Sequence, residues 1–250
     1  MSRRTLLLGL LAIVVFAGTA LLVLPARWIM LAFPSHWPLT VVDATGTIWK
    51  GSATLSVGPA HLRHRLPDTL VWSWSISRGL NLTVTHPWLD GPLTATATYE
   101  GILISSRRLT MPAQTLAAVD ARLKSISPSG SLMISWPTLK VGLNGLEPGT
   151  QIVKAEWRDA ASALSPIRPL GHYTVSVVQQ ADRAAQLTLQ STPGPLLMEG
   201  TGKLNGTRGF LFEGYARAAP QASPDVKAAL QDLLTALGPR QNDSTLLHIR

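Results

Sequence analysis

Apolar and polar residues alternate with a period of two along most of this chain. Leu80, Leu82 and Val84 alternate with Asn81, Thr83 and Thr85, and Leu93, Ala95, Ala97 and Tyr99 with Thr94, Thr96 and Thr98. The same spacing links Leu132, Ile134 and Trp136, then Leu139, Val141 and Leu143, then Val153, Ala155 and Trp157. Tyr173, Val175 and Val177 follow it, as do Leu187 and Leu189. Successive strand side chains point to opposite faces, so each run makes one apolar and one polar face, the pattern of a half-buried antiparallel strand. Gly91-Pro92, Ser127-Pro128-Ser129-Gly130, Glu147-Pro148-Gly149 and Pro193-Gly194-Pro195 separate the runs as turns. The pattern predicts a mainly β fold built as an antiparallel sheet.

The period changes near the two ends. Ser2-Arg3-Arg4-Thr5 precedes an uncharged apolar run from Leu6 to Leu24, followed by Pro25-Ala26-Arg27-Trp28. As a helix that run spans about 28 Å, close to the thickness of a bilayer core. The paired arginines favour a cytoplasmic N-terminus. The expected organisation is a cytoplasmic tail at 1–5, a transmembrane anchor at 6–26 and a periplasmic β-rich domain at 27–250. A cleaved signal peptide would have a shorter apolar core with small residues at its end; here Ala17-Gly18-Thr19-Ala20 lies inside the run. The arginine pair also fits a twin-arginine export signal, but no downstream cofactor motif requires export in the folded state. Trp28 and Trp37 fall where indoles favour the headgroup region, and equally where the folded domain begins.

At the other end, Ser223-Pro224-Asp225 reads as an N-cap, a first-turn proline and an acidic first turn. Val226, Leu230, Leu233, Leu234 and Leu237 form one stripe, and Gly238-Pro239 stops the helix. This C-terminal amphipathic helix is expected to pack on the sheet. Met111 to Lys124, with Leu116, Val119 and Leu123, reads equally as a helix or an irregular crossover. Trp49-Lys50-Gly51-Ser52-Ala53 loosely matches Trp157-Arg158-Asp159-Ala160-Ala161, and Gly91-Pro92-Leu93 matches Gly194-Pro195-Leu196. Two similar halves, 40–140 and 141–250, would explain this; so would chance in turn-rich β sequence.

Composition removes several kinds of chemistry. The chain of 250 residues has no cysteine, which excludes disulfides, thiolate metal sites, a cysteine nucleophile and a lipoprotein anchor. The net charge is +8, from 22 Lys+Arg against 14 Asp+Glu, with only 14% of residues charged. The basic residues are scattered, the densest groups being His61-Leu62-Arg63-His64-Arg65 and Arg107-Arg108. No basic helix or nucleic-acid motif accompanies them. Phospholipid headgroups suit this charge better than nucleic acid, and plain solubility accounts for it as well.

The search for catalytic or ligand chemistry finds little. His61 and His64 lie three apart, which on a strand puts them on opposite faces, and flanking arginines disfavour a cation. His36, His86, His172 and His248 stand alone. The Gly200-Thr201-Gly202-Lys203-Leu204-Asn205-Gly206 string misses a dinucleotide loop by one residue and no helix pattern follows it. The acidic residues form no cluster. No cofactor and no metal are expected, and a hydrolase would need a histidine or carboxylate pair brought together by the fold. Eight tryptophans accompany only three tyrosines and four phenylalanines. Trp72 and Trp74 share one strand face. With Trp136 they read as core, or as an apolar groove for lipid or a peptide.

Several segments in order carry a resemblance: Pro25-Ala26-Arg27-Trp28 after the anchor, Ala44-Thr45-Gly46-Thr47-Ile48-Trp49-Lys50-Gly51-Ser52-Ala53, Trp72-Ser73-Trp74, Gly91-Pro92-Leu93, Pro195-Leu196-Leu197-Met198-Glu199-Gly200, and the closing Leu233-Leu234-Thr235-Ala236-Leu237-Gly238. The chain resembles protein N of the bacterial type II secretion system over essentially its whole length. Gly46, Thr47, Trp49 and Gly51 match the family's Gly-Thr-x-Trp-x-Gly element. The resemblance implies a non-enzymatic inner-membrane component that aids export of folded proteins across the outer membrane of a Gram-negative cell, with other secretion components as partners. It brings no catalytic residues. From the residues themselves, the element reads as structural: glycines for a bulge or tight turn, with Trp49 covering the sheet end. The alternative function is an anchored envelope β protein that binds or transfers lipid.

Overall fold

A computed structural model describes residues 3–28, 39–58, 63–76, 79–118, 121–205 and 209–249, with the backbone alone at 3–8, 10, 14, 64, 121, 122 and 249. Helix α1 (Arg3–Leu22) comes first, then a 3-10 turn at Ala26–Trp28. The strands follow as β1 (Leu39–Gly46), β2 (Lys50–Val57), β3 (His64–Ser75), β4 (Asn81–Thr85), β5 (Leu93–Thr98), β6 (Gly101–Ile104), β7 (Arg107–Pro112), β8 (Pro128–Trp136) and β9 (Leu139–Gly142). After them come β10 (Gln151–Ser162), β11 (Gly171–Gln179), β12 (Ala185–Ser191), β13 (Leu196–Asn205), β14 (Gly209–Ala218), β15 (Arg240–Gln241) and β16 (Ser244–Ile249). Three short helices complete the described residues: α2 (Ala121–Ile126), α3 (Pro224–Ala229) and α4 (Gln231–Leu237).

Every pairing is antiparallel, as the alternation requires. A seven-stranded sheet has the order β1-β2-β3-β4-β5-β6-β9 and a nine-stranded sheet the order β15-β16-β14-β13-β12-β11-β10-β8-β7. The period-two runs become β4, β5, β8, β9, β10, β11 and β12. The sheets are joined where two strands break. Ser105–Ser106 separates β6 from β7, and Pro137–Thr138 separates β8 from β9. On one side of the break β6 pairs β9, and on the other β7 pairs β8. Proline has no N–H for the ladder, so Pro137 suits the break. The Trp136 indole N–H donates to the Ser105 carbonyl at 3.1 Å, and Arg107 Nε donates to the Pro92 carbonyl at 2.6 Å. This exchange of strands means that β9 belongs with the first sheet while β7 and β8 belong with the second.

The main core lies at one end of the nine-stranded sheet. Tyr173, Leu196, Met198 and Ala216 from the strands meet Ile126 of α2 and Leu230, Leu233 and Leu234 of the C-terminal helical segment, all buried. A smaller cluster joins Ala26, Ala53 and Trp72 in the seven-stranded sheet. The 111–124 segment combines both readings made from sequence: β7 runs to Pro112, a 3-10 turn covers Ala113–Ala118, and α2 begins at Ala121. Val119 lies outside the described residues.

Three expectations need correction or restatement. The C-terminal helix starts as expected, with Ser223 Oγ accepting from the Val226 N–H at 3.4 Å, but it is interrupted at Leu230. Ser165 Oγ donates to the Ala229 carbonyl at 3.1 Å, drawing that acceptor away from the helical ladder. Trp49 sits in the turn between β1 and β2 while Trp157 lies within β10, so that half of the proposed repeat does not occupy equivalent places. Gly91-Pro92-Leu93 and Gly194-Pro195-Leu196 do both lead into strands. Finally, α1 is 20 residues long, yet among the described residues no helix is long and apolar enough to cross a membrane. The expected anchor at 6–26 therefore rests on its sequence and on the exposure of the α1 side chains that are described.

Candidate functional site

The four residues of the Gly-Thr-x-Trp-x-Gly element are gathered where α1 meets the seven-stranded sheet. Gly46 and Gly51 pair across the β1–β2 hairpin. Thr47 N–H donates to the Lys50 carbonyl at 2.9 Å and closes the turn, and Lys50 N–H donates to Thr47 Oγ1 at 3.2 Å. Gly46 has φ of +89°, where an L side chain is strained, and a Cβ there would lie 2.5 Å from the Lys50 carbonyl oxygen. A Cβ on Gly51 would lie 2.6 Å from the Trp72 ring and would strike the Thr45 carbonyl. Both glycines are thus required by close approach.

That tight turn aims three groups at the end of α1. The Trp49 indole N–H donates to the Leu21 carbonyl at 2.9 Å. Ile48 N–H donates to the Leu24 carbonyl at 3.0 Å, and Pro25 forms a bridge with Thr47. The last carbonyls of a helix have no partner within it, so Trp49 and Ile48 supply donors from the sheet. Ala26, at 1% exposure, packs beside Ala53 and Trp72. The Trp72 indole N–H donates to the Ile48 carbonyl at 3.0 Å, and Trp74 N–H donates to the Trp49 carbonyl at 2.8 Å. The element reads from sequence as a cover for the sheet end; in the structure it also clamps α1. Pro25 and Ala26 stood out in the sequence only through the family resemblance, and the partners Leu21 and Leu24 had no signal, because backbone carbonyls carry none.

The three tryptophans read as core or groove separate. Trp72 is buried at 6% exposure and belongs to the core. Trp74, on the same face of β3, is 38% exposed. Trp136 ends β8 in the other sheet, so the structure does not bring it to the first two.

Each sheet has a face with a row of apolar residues that are only partly covered. In the nine-stranded sheet one cross-strand row runs Leu109, Ile134, Ala155, Val175, Leu189, Gly200, Gly214 and Leu247. Its large members are half-buried, with Leu189 and Leu247 packed against the core cluster that contains Tyr173 and the helical leucines. Gly200 and Gly214 make room for the Phe212 ring; a Cβ on Gly200 would lie 2.6 Å from it. The glycines of the Gly200–Gly206 string that are described are therefore strand glycines. In the seven-stranded sheet the matching row is Trp74, Leu82, Ala95, Ile104 and Leu139.

Polar groups are dispersed. Glu156 is held between Lys154 at 2.7 Å and Arg158 at 2.6 Å on the polar face of β10. Hydrogen bonds from Lys154 and then from Arg158 lower its pKa from the ordinary 4.5. The Tyr215 hydroxyl donates to Glu199 Oε2 at 2.6 Å, which raises its pKa and keeps it protonated. They border a shallow groove of about 780 Å³ with Gln190 and Glu213. Burial raises the pKa of Tyr173, whose hydroxyl donates to the Leu196 carbonyl at 3.0 Å. His86 follows β4 and accepts from Trp88 N–H, while His172 lies in β11 of the other sheet and accepts from Asp159 N–H. His61 lies outside the described residues, and of His64 only the backbone is described. Among the described residues no group of three or more His, Cys, Asp or Glu could hold a metal ion.

The concentrated motif of this antiparallel β protein thus ties the sheet to the N-terminal helix. The family model described as "Type II secretion system (T2SS), protein N" matches residues 38–246. The chain belongs to that family of type II secretion components, as the motif resemblance implied. No curated protein and no solved structure matches it.

Proposed function

We propose that this chain is a non-enzymatic component of the type II secretion machine, anchored in the inner membrane by α1, with its N-terminus cytoplasmic and its sheets in the periplasm. The observation that carries the anchoring is the clamp of Trp49 and Ile48 on the carbonyls of Leu21 and Leu24. The described apolar side chains of α1 support it: Leu11 is 60% exposed, Phe16 77% and Leu22 67%, so the domain does not cover them. Exposed leucine and phenylalanine of this density need an apolar solvent or a partner. Among the described residues β1 is an edge strand of the seven-stranded sheet, which suits strand addition by another secretion component.

The test is deletion of the gene in its native host, with assay of secreted enzymes, together with photocrosslinking from positions along β1. Reduced secretion and crosslinks to secretion components are expected. Normal secretion with no such crosslink would reject the reading. The partly covered apolar rows favour a second reading, in which the sheets bind acyl chains. Phospholipid retained through purification and lost on Val175→Asp would support it, and lipid-free protein by mass spectrometry would remove it.

A further inference from the structure

We propose that the end of the seven-stranded sheet that receives α1 lies on the membrane surface, with the hairpin tips at Ile76, Tyr99 and Leu143 inserted among the lipid headgroups. This rests on the anchoring proposed above. In an antiparallel sheet successive turns alternate between its two ends. The β1–β2 turn at Thr47, the β3–β4 connection at Ile76, the β5–β6 turn at Tyr99 and the exit from β9 at Leu143 therefore share one end, the end clamped to α1.

That end is apolar in an unusual way. Tyr99-Glu100 is a two-residue loop between the paired Thr98 and Gly101. Leu143-Asn144 is another, closed by two backbone hydrogen bonds between Gly142 and Gly145 at 3.1 and 3.0 Å. Such loops ordinarily use Gly, Asn or Asp. Here the first position of each carries a large side chain standing in solvent: Tyr99 is 92% exposed and Leu143 93%. Neither packs on the fold, so neither contributes to the core. Ile76 is 81% exposed on the third tip, with Leu80 at 40% and Trp74 at 38% beside it.

Hydrogen bonds connect these tips to the anchor. Trp49 bonds α1 through its indole, Trp74 N–H bonds the Trp49 carbonyl, and Ala97 N–H donates to the Leu80 carbonyl at 2.9 Å. Tyr99 and Leu143 line opposite sides of one open groove of about 530 Å³. The other end of the sheet differs: Trp88 and Leu89, in the β4–β5 connection, are half-buried, and Asp90 is exposed. Tyrosine and tryptophan favour the headgroup layer, where an apolar ring and a polar tip are both satisfied. The groove also carries Lys140, Glu100 and Glu147. One positive charge stands against two negative ones, so the contact is apolar insertion rather than attraction to anionic lipid, and salt should not weaken it.

The absence of cysteine allows a direct test. Full-length chain with single Ile76→Cys, Tyr99→Cys or Leu143→Cys, each carrying an environment-sensitive fluorophore, is reconstituted in phosphatidylcholine vesicles containing a headgroup spin label. Asp90→Cys reports the opposite end and Val15→Cys reports α1. The three tip labels should be quenched several-fold more than the label at 90, at low and at high salt. Tip labels quenched no more than the label at 90 would overturn the proposal, including the case in which these tips dock a protein instead. A label at 15 that emits as in water, rather than with the blue-shifted emission of the acyl layer, would overturn the anchor itself, so the two failures are distinct. The tip side chains touch little, so an unchanged melting temperature verifies that each variant is folded.

Discussion

Replacing Leu233 by alanine tests whether the C-terminal helical segment is part of the fold or a docking element. Leu233 is 2% exposed and packs in one cluster with Ile126, Tyr173, Leu196, Met198 and Ala216. Truncation removes three carbons and leaves a cavity whose cost depends on how far the walls collapse. Collapse is restricted here. One wall is a sheet fixed by its ladder. The other is held by the Ser165 hydroxyl on the Ala229 carbonyl and by the Leu234 N–H on the Leu230 carbonyl at 2.9 Å. The loss should therefore fall in the middle of the range for buried leucines, ~3–4 kcal/mol. At a few degrees per kcal/mol for a chain of this size, the melting temperature should drop by about 10 °C. Leu233→Met keeps the volume and should cost less than ~1.5 kcal/mol. Thermal unfolding of the full chain in detergent, followed by circular dichroism, reads both. An unchanged melting temperature for Leu233→Ala would refute the packing argument and make the segment a docking element.

Trp49→Phe removes the indole donor to Leu21 while keeping a ring. Amide exchange at Val23 to Ala26 should accelerate ~2–10-fold, as expected for loss of one hydrogen bond, with little change in the sheet. Tyr173→Phe leaves the buried Leu196 carbonyl without that donor and should cost ~1–3 kcal/mol in urea unfolding. Glu156 has its pKa lowered by Lys154 and Arg158, so its contribution to stability is fully present above the ordinary carboxylate pKa of 4.5 and is lost as pH falls through the lower folded value. Glu156→Gln should be less stable than the parent at pH 7, and the difference should vanish on acidification below pH 4.5; a gap that persists in strong acid would rule out the charge as its cause.

The strands were legible where the alternation was clean. Leu93 to Thr98 presents its leucine and alanines to one face and threonines to the other, and it pairs on both sides accordingly. The C-terminal stripe was legible for the same reason, since a 3.6-residue period names its buried face. Its interruption was not, because Ser165 lies far away in sequence and acts through a carbonyl. The junction between the sheets was hidden as well. Ser105-Ser106 and Pro137-Thr138 look like loop residues, and only the pairing on either side shows that the strands pass there from one sheet to the other. The last hairpin could have been found: Asn242-Asp243 separates two short runs, and Asn242 takes φ of +55°. The clamp at Trp49 was half legible. Its glycines announced a tight turn, but the donor's target is a backbone carbonyl in α1, which no side-chain pattern encodes.

The clamp explains why the motif needs these residue types in this order. A helix joined to a sheet by a single peptide connection would swivel, and the direction of every sheet edge relative to the membrane would be lost. Here α1 is held by the Trp49 indole, the Ile48 amide and the Thr47 bridge at successive points along Leu21 to Pro25. Three attachments, one to α1 itself and two to the residues that leave it, resist rotation as well as separation. Each depends on a turn tight enough to present all three groups together, which Gly46 and Gly51 permit by the close approach of their backbones to Lys50 and Trp72. A larger residue at either glycine would push the paired backbones of the hairpin apart and release the groups that hold α1. If the β1 edge receives a partner in the same envelope, as proposed, orientation is the property that function requires.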